Sequence, residues 1–301
     1  MNNLPFGKPG KFWRGNLHTH STRSDGMRTP EAVCRFYREN GYDFIAVTDH
    51  FLAHYEYPIV DTTPFRQDDF TTIIGAELHA GQTELGNLWH ILAVGLPLDF
   101  NPPTEAETGP QIAARALDAG AFVAAAHPQW YTLTERDVVS LGDIHAIEIY
   151  NAACRGLNDR ADSWYLMDMM LAQGRRYSGC ATDDAHFNPE FGAELKGWVY
   201  IKAEALTPEA LLQALKSGSY YSSTGLQIHD IQVTKEEVIV CCSPADSIFL
   251  AGRNAHSVRV YGHGLDEAIL SRRNFNSPYG RIVVRDAFGR RAWSNPFWFS
   301  E

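Results

Sequence analysis

Cysteine is scarce. Five occur in 301 residues, at positions 34, 154, 180, 241 and 242. The number is odd and no C-x-x-C pair exists, which argues against a disulfide framework. A reducing, cytoplasmic setting with five buried structural thiols is the reading that fits. Long apolar runs are also missing. None approaches the ~18 residues of a membrane span, and residues 1–14 hold no apolar core of signal-peptide length, so no membrane is expected as a partner. Positive charge is in deficit, with 26 Lys and Arg against 36 Asp and Glu, a net charge of -10. Without a basic stripe, a nucleic-acid polymer is not expected as the main partner. Low-complexity tracts and internal repeats are absent, as are a Gly-x-Ser-x-Gly elbow and a Walker A loop. Serine-nucleophile and P-loop chemistry are therefore not indicated.

What is present is an ordinary globular composition, 45% hydrophobic, 12% aromatic and 21% charged, long enough for one large α/β domain with a smaller companion. Short apolar runs alternate with helical patterns up to about residue 220. Strands are expected at 44–47, 72–76, 90–94, 122–126, 146–150, 176–181 and 198–201. Helices are expected after Thr29-Pro30-Glu31, at 111–119, at 162–172 and after Thr207-Pro208-Glu209. In the first of these, Thr29 supplies an N-cap and Pro30 the first helical position. The alternation implies parallel strands with helical crossovers, with the chemistry at the C-terminal strand ends if they close into a barrel. From about residue 227 the texture changes to short strands (230–233, 238–242, 247–250, 257–261, 281–285) with a possible helical turn at 266–270. That tail reads as a small all-β unit.

His18-Thr19-His20 ends a strand that begins near Phe12. Alternation puts both imidazoles on one face, where they can hold one metal. Asp25 follows in Ser24-Asp25-Gly26, by itself a turn. His50 follows the run 44–47, Glu77 ends the run 72–76, and His90 opens the run 90–94. His127-Pro128 follows 122–126, and Asp183-Asp184-Ala185-His186 follows the strand ending at Ala181. All but His90 sit at C-terminal strand ends, so groups scattered through the sequence would meet on one rim. Buried carboxylates and imidazoles without partners are costly there, and shared divalent cations would supply the partner.

This order of motifs resembles the PHP (polymerase and histidinol phosphatase) family of metal-dependent phosphoesterases, over about residues 12–225. The resemblance implies an α/β fold of distorted (βα)7-type barrel, expected in residues 1–225; the texture of the tail, and not the resemblance, gives the small β-sandwich-like domain expected in 226–301. The resemblance also implies two or three divalent metal ions (Zn, Mn or Fe). Carried over by position, His18, His20, Glu77 and Asp184 hold a first metal. Glu77 bridges to a second, completed by His90 and His127. Asp25, His50 and His186 hold a third. Asp184 is preferred to Asp183 because Asp-x-His suits a strand. Asp49 and Asp183 are then expected to orient ligand imidazoles or to be structural.

Two metals bridged by a carboxylate lie roughly 3.5–4 Å apart and can share a hydroxide nucleophile, with a third for the phosphoryl oxygens. The expectation is hydrolysis of a small organic phosphate with no catalytic side chain beyond the ligands. The alternative is a carbamate, ester or amide hydrolase built on the same ions. A carbohydrate- or polymer-binding role for the β tail is a third reading, which the complete ligand set opposes. Arg23 and Arg155 are candidate phosphate-binding cations. Asn151 is a site residue or a turn, and Trp130 a candidate for the pocket mouth. His54, His79, His145, His229, His256 and His263 have no matching context and read as surface or structural. Nothing in the sequence sets an oligomeric state.

Overall fold

Thr29 behaves as its sequence context dictates. Its backbone is extended and its hydroxyl accepts from the Ala32 N–H, opening a helix over Pro30–Glu39. The helix buries Val33, Cys34 and Tyr37 on one face. It stops at Asn40, and Gly41 turns the chain with φ +77°, a left-handed value that costs glycine little. The chain then enters the strand Phe44–Ile45, which pairs in parallel with Lys11–Asn16 on one side and Thr71–Thr72 on the other. The computed structural model describes residues 4–190 and 192–299.

Backbone pairing divides the described strands between two sheets. The larger one continues from Lys11–Asn16 into Trp198–Ala203 and Tyr220–Ser223, both antiparallel to their neighbours. The smaller one runs in the order His50–Phe51, Gly75–Leu78, Ile91–Val94, Phe122–Ala125, Ala146–Asn151, Ser178–Thr182. The sheets meet at a parallel bridge between Thr19 and Ala185, where the His20 N–H donates to Ala185 O (2.9 Å) and the Asp184 N–H to His18 O (2.9 Å).

The α/β class expected from the sequence holds. The expected distorted (βα)7-type barrel is not established by this pairing, which falls into two sheets. Ile91–Val94 is antiparallel to both Gly75–Leu78 and Phe122–Ala125. The connection 79–90 contains no helix, and a return of that kind cannot make the crossover that parallel strands require. The reversal explains the one misfit among the strand-end residues: because its strand runs the other way, His90 at the N-terminal end lies on the same rim as Glu77 and His127.

Beyond residue 226 the expected short strands are longer. Runs 238–242 and 247–250 join in Glu237–Ala251, and 257–261 continues through the supposed helical turn as Ser257–Ser271. A register shift around Ala245 accommodates Pro244, since a bulge is where an interior strand tolerates proline. Arg291–Ser294 pairs with Tyr220–Ser223, so these strands extend the larger sheet. Val238, Val240, Ile248, Leu250, Leu270, Ile282 and Val284 form their core together with Leu4, Tyr221 and Leu226. Tyr279 and Trp293 instead pack into the core of the smaller sheet. Arg281 reaches Asp168 on the helix Trp164–Ala172 through two hydrogen bonds, 2.9 and 2.7 Å, and lies over the Trp164 ring. Among the described residues no helix is long and apolar enough to cross a membrane. All five cysteines are free, and Cys241 alone is not fully buried.

Candidate metal centre

Nine of the eleven residues singled out from the sequence come together. Glu77, on the strand Gly75–Leu78 and fully buried, is at their middle. Its Oε1 lies 2.8 Å from His90 Nδ1 and 2.9 Å from His127 Nε2. Its Oε2 lies 2.6 Å from His50 Nδ1, 3.6 Å from His18 Nε2 and 3.7 Å from His20 Nε2. Asp184 Oδ1 is 2.9 Å from His20 Nε2 and 3.4 Å from His18 Nε2. Asp25, on the loop after His20, approaches His186 Nε2 at 3.3 Å and His50 Nε2 at 3.5 Å. Four overlapping groups of donor atoms are compact enough to hold an ion: His20, Asp25, His50 and His186; His50, Glu77, His79 and His90; His18, His127 and Asp184; and His18, His20 and Glu77.

Whether a metal suits this cluster can be judged from its polar atoms. His18 Nε2, His20 Nε2, Glu77 Oε2, His127 Nδ1 and Asp184 Oδ1 are all buried and lack a hydrogen-bond partner. Buried polar atoms are almost always satisfied, and leaving several unsatisfied in one place is costly. Divalent cations fit that vacancy of partners, and the donor set of nitrogen and oxygen without thiolate suits borderline and hard ions. The thiol of nearby Cys154 is pushed far up by burial and by Asp184 and Glu148, so it offers no thiolate. The backbone is also bent to purpose: His127 (φ +26°) and Asp184 (φ +52°) occupy positive φ, a strain found at functional sites.

The charges reinforce one another. Burial alone would raise the carboxyl of Glu77, but His50, His90 and His18 hold it well below the ordinary carboxylate range. Asp184 is held down against burial by His18 and His20, and Asp25 by hydrogen bonds from His186 and His50. Burial would lower His50, yet Glu77 and Asp25 push it up to about 10. His18 likewise rises against burial because Asp184, Glu148 and Glu77 surround it. His20 goes the other way, to about 4, through burial and the neighbouring His186 and His50.

Of the two roles expected for Asp49 and Asp183, their hydrogen bonds fit the structural one. Asp49 accepts from the Ser21 N–H and hydroxyl and from the Ser24 hydroxyl, bracing the loop that carries Asp25. Asp183 accepts from Tyr37 and from the backbone N–H groups of residues 195, 196 and 197. Neither holds an imidazole. Glu148 does: its Oε1 is 2.9 Å from His18 Nδ1, while its Oε2 accepts from the His127 N–H and from Asn151. With Nδ1–H so engaged, His18 turns its bare Nε2 toward Glu77 and Asp184, the carboxylate–histidine arrangement of metal sites. Asn151 also donates to Asp184 Oδ2 and caps the helix Ala152–Asn158, combining both roles weighed for it. His79 is no surface residue. It is buried, with Nδ1 2.8 Å from Trp89 O and Nε2 2.9 Å from His50 Nδ1.

The cluster opens into a cavity of about 260 Å³ lined by Asp25, His50, His90, His127, Asp184 and His186, and also by Met27, Trp130, Ala153, Cys154, Leu157 and Asn188. Arg23 and Arg155 are not among its lining residues. Arg23 is exposed on the loop, and Arg155 faces a different cavity with Tyr150, Arg290 and Arg291. The expectation that these two arginines line the site is corrected accordingly: Arg155 is set on the far side of its helix from Ala153, Cys154 and Leu157.

No family model matches the chain, and no curated protein matches it in sequence. Solved structures do. An amidohydrolase from Chromobacterium violaceum with bound sulfate and no metal is 14% identical, with a TM-score of 0.43 over 57% of this chain and 87% of that one. A protein from Bacteroides vulgatus, described as a two-domain protein containing a predicted PHP-like metal-dependent phosphoesterase, is 14% identical with a TM-score of 0.55. That match covers 96% of this chain and 98% of the other, so the chain shares, over nearly its whole length, the fold of a two-domain PHP-like protein.

Proposed function

We propose that the chain is a metal-dependent hydrolase acting on small organic phosphoesters. The observation that carries this reading is the convergence of five buried, unpartnered nitrogen and oxygen atoms on His18, His20, Glu77, His127 and Asp184. In this reading His18, His20, Glu77 and Asp184 hold one ion. Glu77, His90 and His127 hold a second, and Asp25, His50 and His186 a third. Residues 1–225 form the metal-bearing unit and 226–301 its β-rich extension. Two or three ions of Zn, Mn or Fe would supply Lewis-acid polarisation and water activation at neutral pH. The protein's own part is positional. Glu148 fixes the ring of His18, Asp49 fixes the loop of Asp25, and Asn151 ties Asp184 to Glu148.

A second reading keeps the ions and changes the bond to a carbamate, carboxylic ester or amide. It is favoured by one observation: among the described residues no Lys or Arg lines the cavity, so a phosphoryl group would depend on the ions alone. Purified protein should contain, or take up, at least two equivalents of metal by elemental analysis. With Mn²⁺, Zn²⁺ or Fe²⁺ it should release phosphate from simple phosphoesters, lose that activity to a chelator and regain it on metal addition. Cleavage of aryl esters or carbamates with no phosphate release from any phosphoester selects the second reading. A protein that binds no metal defeats both.

A further inference from the structure

Part of the cavity lining is apolar although water reaches it. Met27 is 59% exposed and Leu157 45% exposed, and both line the cavity with Trp130, Ala153 and Cys154. Trp130 is held in place. Its ring meets His90 and His127 edge to face at 5.6 and 5.1 Å, and its carbonyl accepts from Asn158 at the end of the helix that carries Leu157. Exposed apolar groups around a site of polar chemistry mark a surface kept for an apolar partner.

Among the described residues no Lys or Arg is part of the cavity lining. Arg28 lies over the rings of Phe36 and Phe187. Arg155 and Lys196 face the separate cavity beside Tyr150, and Arg23 is outside the lining. Ions at the cluster would meet the charge of one scissile group. A second phosphate or a distal carboxylate would find no Lys or Arg in the lining, only Asn188, Asp25 and apolar side chains beyond the cluster. The cavity, at about 260 Å³, also falls below the ~300–1,000 Å³ of sites for drug-sized ligands.

We infer that the substrate carries a compact aromatic group beside the scissile ester, seated against Trp130, Leu157 and Met27, and that nucleotides and other polyanions are poor ligands. This rests on the hydrolase reading for the reaction but on the apolar part of the lining for recognition. The test uses the metal-loaded full-length protein. 1-Naphthyl phosphate and 1-naphthyl acetate are compared with AMP and glucose 6-phosphate as substrates, and the binding of 1-naphthol is followed by calorimetry. A naphthyl ester should show a KM at least tenfold below those of AMP and glucose 6-phosphate. Leu157→Arg, at a half-exposed position, and Trp130→Ala should each weaken 1-naphthol binding about tenfold and raise the naphthyl KM. A lower KM for AMP or glucose 6-phosphate overturns the inference while leaving the hydrolase intact. So does 1-naphthol binding that neither variant weakens. If nothing is hydrolysed but 1-naphthol binds and both variants weaken it, the hydrolase reading fails and the aromatic subsite stands.

Discussion

His79 shows how one hydrogen bond can be relayed to a ligand atom. The Trp89 carbonyl can only accept, so His79 must present a protonated Nδ1 to it, leaving Nε2 with a lone pair. Burial and the neighbouring His90 push its pKa well down, so the ring stays neutral. That lone pair accepts from His50 Nδ1–H, so the Nε2 that faces Asp25 is the nitrogen His50 offers to an ion once its proton is lost. Removing such an outer partner costs about 10–100-fold in metal affinity. His79→Leu is expected to lose one class of ion by about that factor in chelator competition, whereas His79→Gln, whose carbonyl can still accept from His50, should keep part of it. Protons follow the same logic. Metal-free, His18 and His50 have raised pKa values, His50 up to about 10. Their protonated forms stabilise the metal-free fold fully below the free-imidazole pKa of about 6.5, and that contribution fades as pH rises toward the folded value. Metal requires them neutral. Metal uptake at pH 7 should therefore release protons, seen as a dependence of calorimetric heat on buffer ionisation enthalpy. The gain in Tm on adding metal should grow from pH 6.5 to pH 9; a gain that shrinks over that range contradicts the assignment.

Short elements set the ligands, and their close approaches can be tested. The loop between His20 and Met27 folds back so that a Cβ on Gly26 would sit 2.6 Å from the carbonyl carbon and oxygen of His20. Backbone cannot yield as a flexible side chain can, so Gly26→Ala should cost about 1–3 kcal/mol in urea unfolding and shift Asp25, lowering metal content as well. Much of this was legible beforehand. Thr29-Pro30 and Thr207-Pro208 cap helices as read, and the strand-end histidines and carboxylates share one rim. What escaped notice has physical reasons. The alternation that pairs His18 with His20 also pairs Glu77 with His79, a signal present but not applied. Glu148 was signalled only by a carboxylate lodged in the apolar run 146–149. Tyr220–Ser223 is buried on both faces and shows no alternation. The reversed direction of Ile91–Val94 depends on a loop whose length does not declare which way the chain returns.

Over the whole molecule, the C-terminal strands are bound to the part that carries the histidine and carboxylate cluster through polar as well as apolar contacts. Arg281 is nearly buried, bidentate to Asp168 and stacked on Trp164. Arg281→Ala should lower stability by about 2 kcal/mol, the scale of hydrogen bonds to charged groups, while leaving metal content unchanged by elemental analysis. Paired loss of stability and metal would mean that this contact also shapes the centre. The bridge from Thr19 to Ala185 joins residues 166 apart. Long-range closures of this kind come late in folding. During synthesis, which runs N-terminal end first at about 5–20 residues per second, His18 and His20 must wait many seconds for Asp184 and His186 to leave the ribosome. An ion captured early by the two histidines would have only a partial nest, so loading of the full cluster belongs to the finished chain rather than the nascent one.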